Sequence, residues 1–188
     1  MEKQLDASTA LLLIDVQKAF DEPRWGPRNN PQAESRIAQL LTAFRRAGRP
    51  VLHVKHNSVV PGSILGPGQP GNAFKPEAAP RPGEALFEKS VNSAFIGTGL
   101  EAHLRGEGIT ALVIAGFITN HCVSTTARMA GNLGFRTLVV DDACATFDFK
   151  DGDGVIPAAT MHRVGLAELR GEFAEILETA EVLRRLEA

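Results

Sequence analysis

Cys122 is the side chain of this sequence best placed to act as a nucleophile. It follows the segment Gly116-Phe117-Ile118-Thr119-Asn120-His121, just past an apolar run over 109–116 and in the first turn of a helix expected over 120–133. Unpaired N–H groups and the helix dipole at such a position favour a thiolate, so the spacing predicts a thiol pKa below the free value of ~8.5. The same N–H groups would stabilise an oxyanion formed when sulfur attacks a carbonyl carbon. Spacing alone also fits a cysteine packed as a small apolar side chain. Asp15, at the end of the run 9–16 (TALLLIDV), would serve as a base for the thiol, or would only cap a helix or pair with a basic neighbour. Lys89, within FEKSVNSAF, reads by itself as an ordinary solvated charge.

The surrounding elements explain why these positions matter. The runs 9–16, 50–55, 109–116, 135–141 and 174–177 read as buried strands, with helices expected over 31–47, 99–108, 120–133, 158–169 and from 179 onward, and a short extended piece over 85–90. Alternation of strand and helix predicts a doubly wound, mainly parallel sheet of five or six strands in a three-layer αβα sandwich. In such sheets ligands bind beyond the carboxyl ends of the strands, where Asp15, the GFITNHC segment, Asp141 and Asp142 all fall. Residues 57–83 are so rich in Gly and Pro that neither helix nor strand can run through them; they form a long loop expected to wall the site, with Ile64, Leu65 and Phe74 packing down.

The composition narrows the partners. A chain of 188 residues suits one domain spanning 1–188, and a formal charge of −2 gives no basic footprint for nucleic acid or an anionic membrane. The two cysteines and the lack of a leader or membrane-spanning run are read as a cytoplasmic protein with free thiols and a small-molecule substrate. No internal repeat is present, GPGQPG lacks the lysine and hydroxyl of a phosphate loop, and DGDG lacks the full calcium-loop pattern.

Taken together, LLLIDVQKAF, EKSVNSAF and VIAGFITNHCVSTTARMAGNLGFRTLVVDDACATFD resemble the isochorismatase-like cysteine hydrolase family over most of the chain. The family order is an aspartate ending strand one, a lysine near the middle, then G-x-x-T-x-x-C-V, T-A-R and D-A. Asp15, Lys89, Cys122-Val123, Thr126-Ala127-Arg128 and Asp142-Ala143 match it. The resemblance implies a triad in which Asp15 takes the thiol proton, Lys89 supports the ionised pair and Cys122 attacks a small amide, ureido or carbamoyl C–N substrate through a thioester. It further implies a cis peptide between Phe117 and Ile118, an oxyanion hole from the backbone N–H groups of Ile118 and Cys122, and a homo-oligomer, dimer or tetramer.

Nicotinamidases of this family bind a metal through a D-x-H element and further histidines, whereas this chain has His53-Val54-Lys55-His56-Asn57 and no histidine between His56 and His103. His53 and His56 point to opposite faces of a strand, so neither a metal nor another cofactor is expected. His56 is instead read as facing the substrate, with Phe20, Trp25 and Phe117 lining an apolar pocket; Arg28 and Asn29 are read as holding their loop, and Cys144 as a buried structural cysteine. Vinyl-ether hydrolysis of the isochorismatase type and a redox role for Cys122 are the competing readings, the second weakened by the lack of an adjacent resolving cysteine.

Overall fold

The computed structural model describes residues 4–187. Its frame is one six-stranded sheet in the order β3-β2-β1-β4-β5-β8, all of whose neighbouring pairs are parallel. The strands are β1 (Thr9–Ile14), β2 (Val51–His56), β3 (Ala85–Lys89), β4 (Ala111–Phe117), β5 (Arg136–Ala145) and β8 (Glu175–Leu177). Both central strands, TALLLI and ALVIAGF, are buried along their whole length, as expected of a parallel sheet covered on two faces.

Alternate residues of these strands feed two separate cores. Leu11, Leu13, Val113 and Ala115 pack with Ile37, Leu41 and Phe44 of helix α1 (Ala33–Arg46) and Val182 of α5 (Thr179–Glu187). Leu12, Ile14, Leu112 and Ile114 pack on the opposite face with Leu104 of α2 (Leu100–Gly106), Ala127 of α3 (Ser124–Asn132) and Leu166 of α4 (Ala158–Leu169). The αβα sandwich anticipated from the alternation is therefore the observed one. No helix among the described residues is long and apolar enough to cross a membrane.

Differences lie at the ends of elements and in one segment. Strand β5 runs on through Asp141 to Ala145, because Cys144 and Ala145 pair with Gly116 and Phe117 beyond a register shift. After it the chain forms a hairpin of β6 (Phe149–Asp151) and β7 (Gly154–Ile156). The Asp-Gly dipeptides dismissed as an incomplete calcium loop are turn formers here, and Gly152 takes the positive φ (56°) that such a turn requires.

The long 57–83 loop holds only two single 3-10 turns, Pro70–Asn72 and Pro76–Ala78. It is tied to the end of β1 by buried amides: the Gln17 Nε2 group donates to the His56 and Asn72 carbonyls, and Gln17 Oε1 accepts from the His56 N–H. Its Lys75, buried, pairs with Asp21 at 2.5 Å and with Glu34 at 2.6 Å. Glu34 also receives Arg28, and these two hydrogen-bonded cations hold its carboxyl at about 2, well below the usual range, against the opposing effect of burial.

Gly116 is the glycine of the sheet that lets β4 lie close against β1. Its φ is 133°, and a Cβ built there would lie 2.0 Å from the Ile14 carbonyl oxygen of the neighbouring strand. Gly116→Ala is expected to cost about 3 kcal/mol or more, since the obstruction is backbone and cannot rotate away. Thermal unfolding checks this: a Tm within about 2 °C of the native value would mean that β1 and β4 can separate more freely than their packing indicates.

Candidate active site

Four adjacent strands in the order β3-β2-β1-β4 each deliver one polar residue at their carboxyl ends: Lys89, His56, Asp15 and, after a short turn, Cys122. The chain reverses its direction of growth between β1 and β4, the place where open α/β sheets form a crevice.

The three residues nominated by the resemblance come together. Lys89 Nζ donates to Asp15 Oδ2 at 2.6 Å and to Cys122 Sγ at 3.3 Å, and it stands 3.1 Å from His56 Nδ1. Lys89 and Asp15 are buried, and Cys122 is partly exposed. Asp15 sits in the left-handed region with φ 51°. Its second oxygen, Oδ1, is buried and makes no hydrogen bond. Burial raises the Asp15 carboxyl above the usual range while the charge of Lys89 pulls it down, and Cys122 is pushed up to about 12 by burial and by the negative charge of Asp15. His56 is lowered to about 4 by burial and by Lys89, so its imidazole is neutral and Nδ1 accepts from the ammonium.

Two expectations about Cys122 need correction. It does not stand in the first turn of an α-helix: Thr119–Val123 form a π turn, in which the His121 and Val123 N–H groups both donate to the Ile118 carbonyl, and α3 begins at Ser124. Nor is the resting thiol acidified. Burial beside a carboxylate outweighs the favourable field of a helix end, so a thiolate forms here only by passing the proton to a base. The Phe117–Ile118 peptide is cis.

Of the residues read as pocket lining, only His56 touches the cluster directly. Phe117 is fully buried, stacked on Phe20 at 5.5 Å and overlain by Arg28 and Lys75, so both rings belong to the core. Trp25 is partly exposed and stacks on Phe147 at 5.4 Å. Arg28 and Asn29 hold their loop through Glu34 and the Thr146 N–H. Arg128 lies over Phe173 and pairs with Glu168, while Asp142 caps α5 through Thr179.

Donor atoms of Asp15, His56 and Cys122 lie within 4.8 Å of one another, a spacing a metal ion would fit. The Lys89 ammonium, however, already contacts all three, so a second cation would have to displace it. His53 is turned away toward Glu84 at 2.8 Å. The site is thus built around its own cation.

A brace that local sequence does not disclose stands behind the turn that carries Cys122. His162 of α4, buried, bonds Thr119 Oγ1 through Nδ1 at 2.8 Å and Asp141 Oδ1 through Nε2 at 2.7 Å. Asn30 Nδ2 ties the same corner to the Asp141 and Cys144 carbonyls, and Thr146 Oγ1 donates to Asn120 Oδ1. His162 shares a helix face with Leu166 and Leu169, which reads as core from sequence; only the fold reveals a partner 43 positions away.

Residues 9–181 match the model of the Isochorismatase domain. The chain is 45% identical over 180 residues to the uncharacterized isochorismatase family protein YrdC of Bacillus subtilis, covering 95% of this chain and 96% of that one. It is 34% identical to a streptothricin hydrolase of Streptomyces noursei (91% of this chain, 62% of that one), and 29% identical to the ureidoacrylate amidohydrolase RutB of Methylobacterium radiotolerans (93% and 78%). A crystal structure of an isochorismatase-family hydrolase from Chromobacterium violaceum superposes with a TM-score of 0.94 at 50% identity, covering 100% of this chain and 99% of that one.

If His162 braces the turn, His162→Ala should let Cys122 drift from Asp15 and from its buried position, and its thiol pKa should fall. Each unit of fall raises the thiolate fraction about tenfold, so alkylation by iodoacetamide at pH 8 should quicken by about that factor. His162→Gln, which keeps hydrogen bonding at the site, should stay within about threefold of native. Equal rates in all three proteins would remove the brace.

Proposed function

This chain belongs to the isochorismatase family of hydrolases, and we propose that it is a cysteine-dependent amidohydrolase cutting the C–N bond of a small amide, ureido or carbamoyl compound. The observation that supports this most directly is the unpartnered Asp15 Oδ1 beside a protonated thiol, with Lys89 bound to the other carboxylate oxygen.

Asp15 accepts the Cys122 proton as sulfur bonds to the carbonyl carbon, whose oxygen takes up the electron pair and is held by the Ile118 and Cys122 N–H groups. Collapse of the adduct breaks the C–N bond, and Asp15 gives its proton to the departing nitrogen, releasing ammonia or an amine. Water then adds to the thioester, delivering a proton to Asp15, and the second collapse breaks the C–S bond as that proton returns to sulfur. One base oxygen serves both half-reactions, because Lys89 keeps Asp15 oriented throughout. Neutral His56 sits beside this ammonium without competing for the proton, in a position to contact the carbonyl substituent.

Redox sensing is the weaker use of such a cysteine, since oxidants act on the thiolate and this thiol is pushed up to about 12. Two measurements test the hydrolase. Ammonia release from a panel of amides, ureas and carbamoyl compounds should fall at least about a thousandfold in Cys122→Ala and be unchanged after EDTA treatment. Retention of full activity in the alanine variant would remove the nucleophile, and loss to EDTA would demand a metal.

The second measurement is the pH profile. Asp15 must be ionised to accept the proton, and burial raises its pKa above the ordinary aspartate value of 3.8, so kcat/KM should fall with decreasing pH through an acid limb lying above that value. Lys89→Met removes the charge that opposes the rise, and its limb should move up by about one unit or more. A limb unmoved by that substitution would detach Lys89 from the base.

A further inference from the structure

Beside the nucleophile turn lies a cavity of about 320 Å³ that the mechanism leaves unused. Ile118, Asn120 and His121, which lead directly into Cys122, form one wall; Trp25 and Phe147 form the other, and Arg24 and Lys150 stand at its rim. We infer that this cavity binds the non-reacting part of the substrate and selects a single planar apolar group bearing a carboxylate. The inference rests on the hydrolase reading of the same site and specifies its substrate class.

The volume is at the small end for ligand pockets, which run from ~300 to 1,000 Å³, and suits one ring or a short chain. Its aromatic wall is committed to stacking. The Trp25 indole N–H is already spent on the Ala19 carbonyl at 2.8 Å, so the half-exposed side chain offers a ligand its ring surface. Phe147, largely buried behind it, fixes that ring at an interplanar angle of 27°.

Charge at the mouth is unbalanced. Neither Arg24 nor Lys150 takes part in a salt bridge among the described residues, whereas Arg28, Lys75 and Lys89 do. The one carboxylate lining the cavity, Asp148, has its Oδ1 occupied by the Ala158 N–H at the start of α4. An anion entering here would meet two cations without salt-bridge partners against the single carboxylate of Asp148, one of the two a guanidinium able to hold a carboxylate through two parallel hydrogen bonds. Phe149, next to Lys150 and 46% exposed, adds apolar surface at the same opening.

Calorimetric titration of Cys122→Ala separates this subsite from the chemistry, because that variant retains the cavity whether or not cysteine is the nucleophile. Benzoate should bind, with affinity that falls as salt rises, and benzyl alcohol of similar size should bind at least tenfold more weakly. Adding Arg24→Gln or Lys150→Gln should weaken benzoate by about threefold to tenfold and leave benzyl alcohol within twofold. Trp25→Ala should weaken both. Equal affinity for the two probes, or no effect of either cation, would overturn the selection for an anion. Failure of both probes to bind would overturn the cavity as a subsite, while the ammonia assay would still judge the hydrolase by itself.

Discussion

An ammonium ion cannot be buried unless its surroundings replace the water it has lost, and Lys89 is buried at the centre of this molecule's polar cluster. Its three nearest acceptors come from three other chain segments: Asp15 after β1, His56 at the end of β2 and Cys122 beyond β4. The strand order β3-β2-β1-β4 is what brings them into one row. Register matters as much as order, since His56 lies opposite Lys89, and Ile14, the residue before Asp15, lies opposite Gly116. A slip of one residue in any of these strands would send a side chain of the cluster to the wrong face.

That cation also organises the protons. Burial acts on Asp15 and Cys122 in the same direction, favouring the neutral form of each, and Lys89 is the charge that opposes it at both, helped at Asp15 by the thiol of Cys122. The arrangement holds one proton between sulfur and carboxylate with a fixed positive charge alongside, so moving the proton from one to the other keeps the ion-pair partner within reach. His56 completes the balance by remaining neutral: burial lowers its pKa first, and repulsion by the ammonium 3.1 Å away lowers it further.

Much of this was legible before any coordinates. Continuous apolar runs marked the buried strands because both faces of the sheet are covered, and helical spacing at Ile37, Leu40, Leu41 and Phe44 located α1. Asp15 and Cys122 could be singled out from their positions after strands. Lys89 could not, because nothing local distinguishes a buried lysine from a solvated one; it emerged only from resemblance across separated motifs. The raised thiol pKa is hidden for a related reason: a helix end is visible in sequence, but the degree to which the fold buries the sulfur beside a carboxylate is not. His162 and Gln17 were missed likewise, because their partners Thr119, Asp141, His56 and Asn72 are distant in the chain. The β6–β7 hairpin is different, since Asp-Gly turn formers were present and were weighed only as calcium ligands.

The structure separates what must stay fixed from what surrounds it. Asp15, His56 and Lys89 sit at or just past strand ends whose ladders and core packing hold them, and Cys122 is secured from behind by Thr119, His162 and Asp141. The walls, by contrast, come from the Gly/Pro loop, from the 3-10 turns around Phe20 and Trp25, and from the exposed β6–β7 hairpin. Those segments reach the frame through the side-chain amides of Gln17 and Asn29 and through isolated backbone bridges at Gln17–Phe74 and Arg28–Phe147, rather than through the ladders of the six-stranded sheet. Residues at the wall can therefore change size or charge at little cost to the cluster, whereas a change at Gly116 alters the separation of β1 and β4 on which the whole row depends. On the proposed mechanism and subsite, selectivity belongs to the loops and reactivity to the ends of four parallel strands.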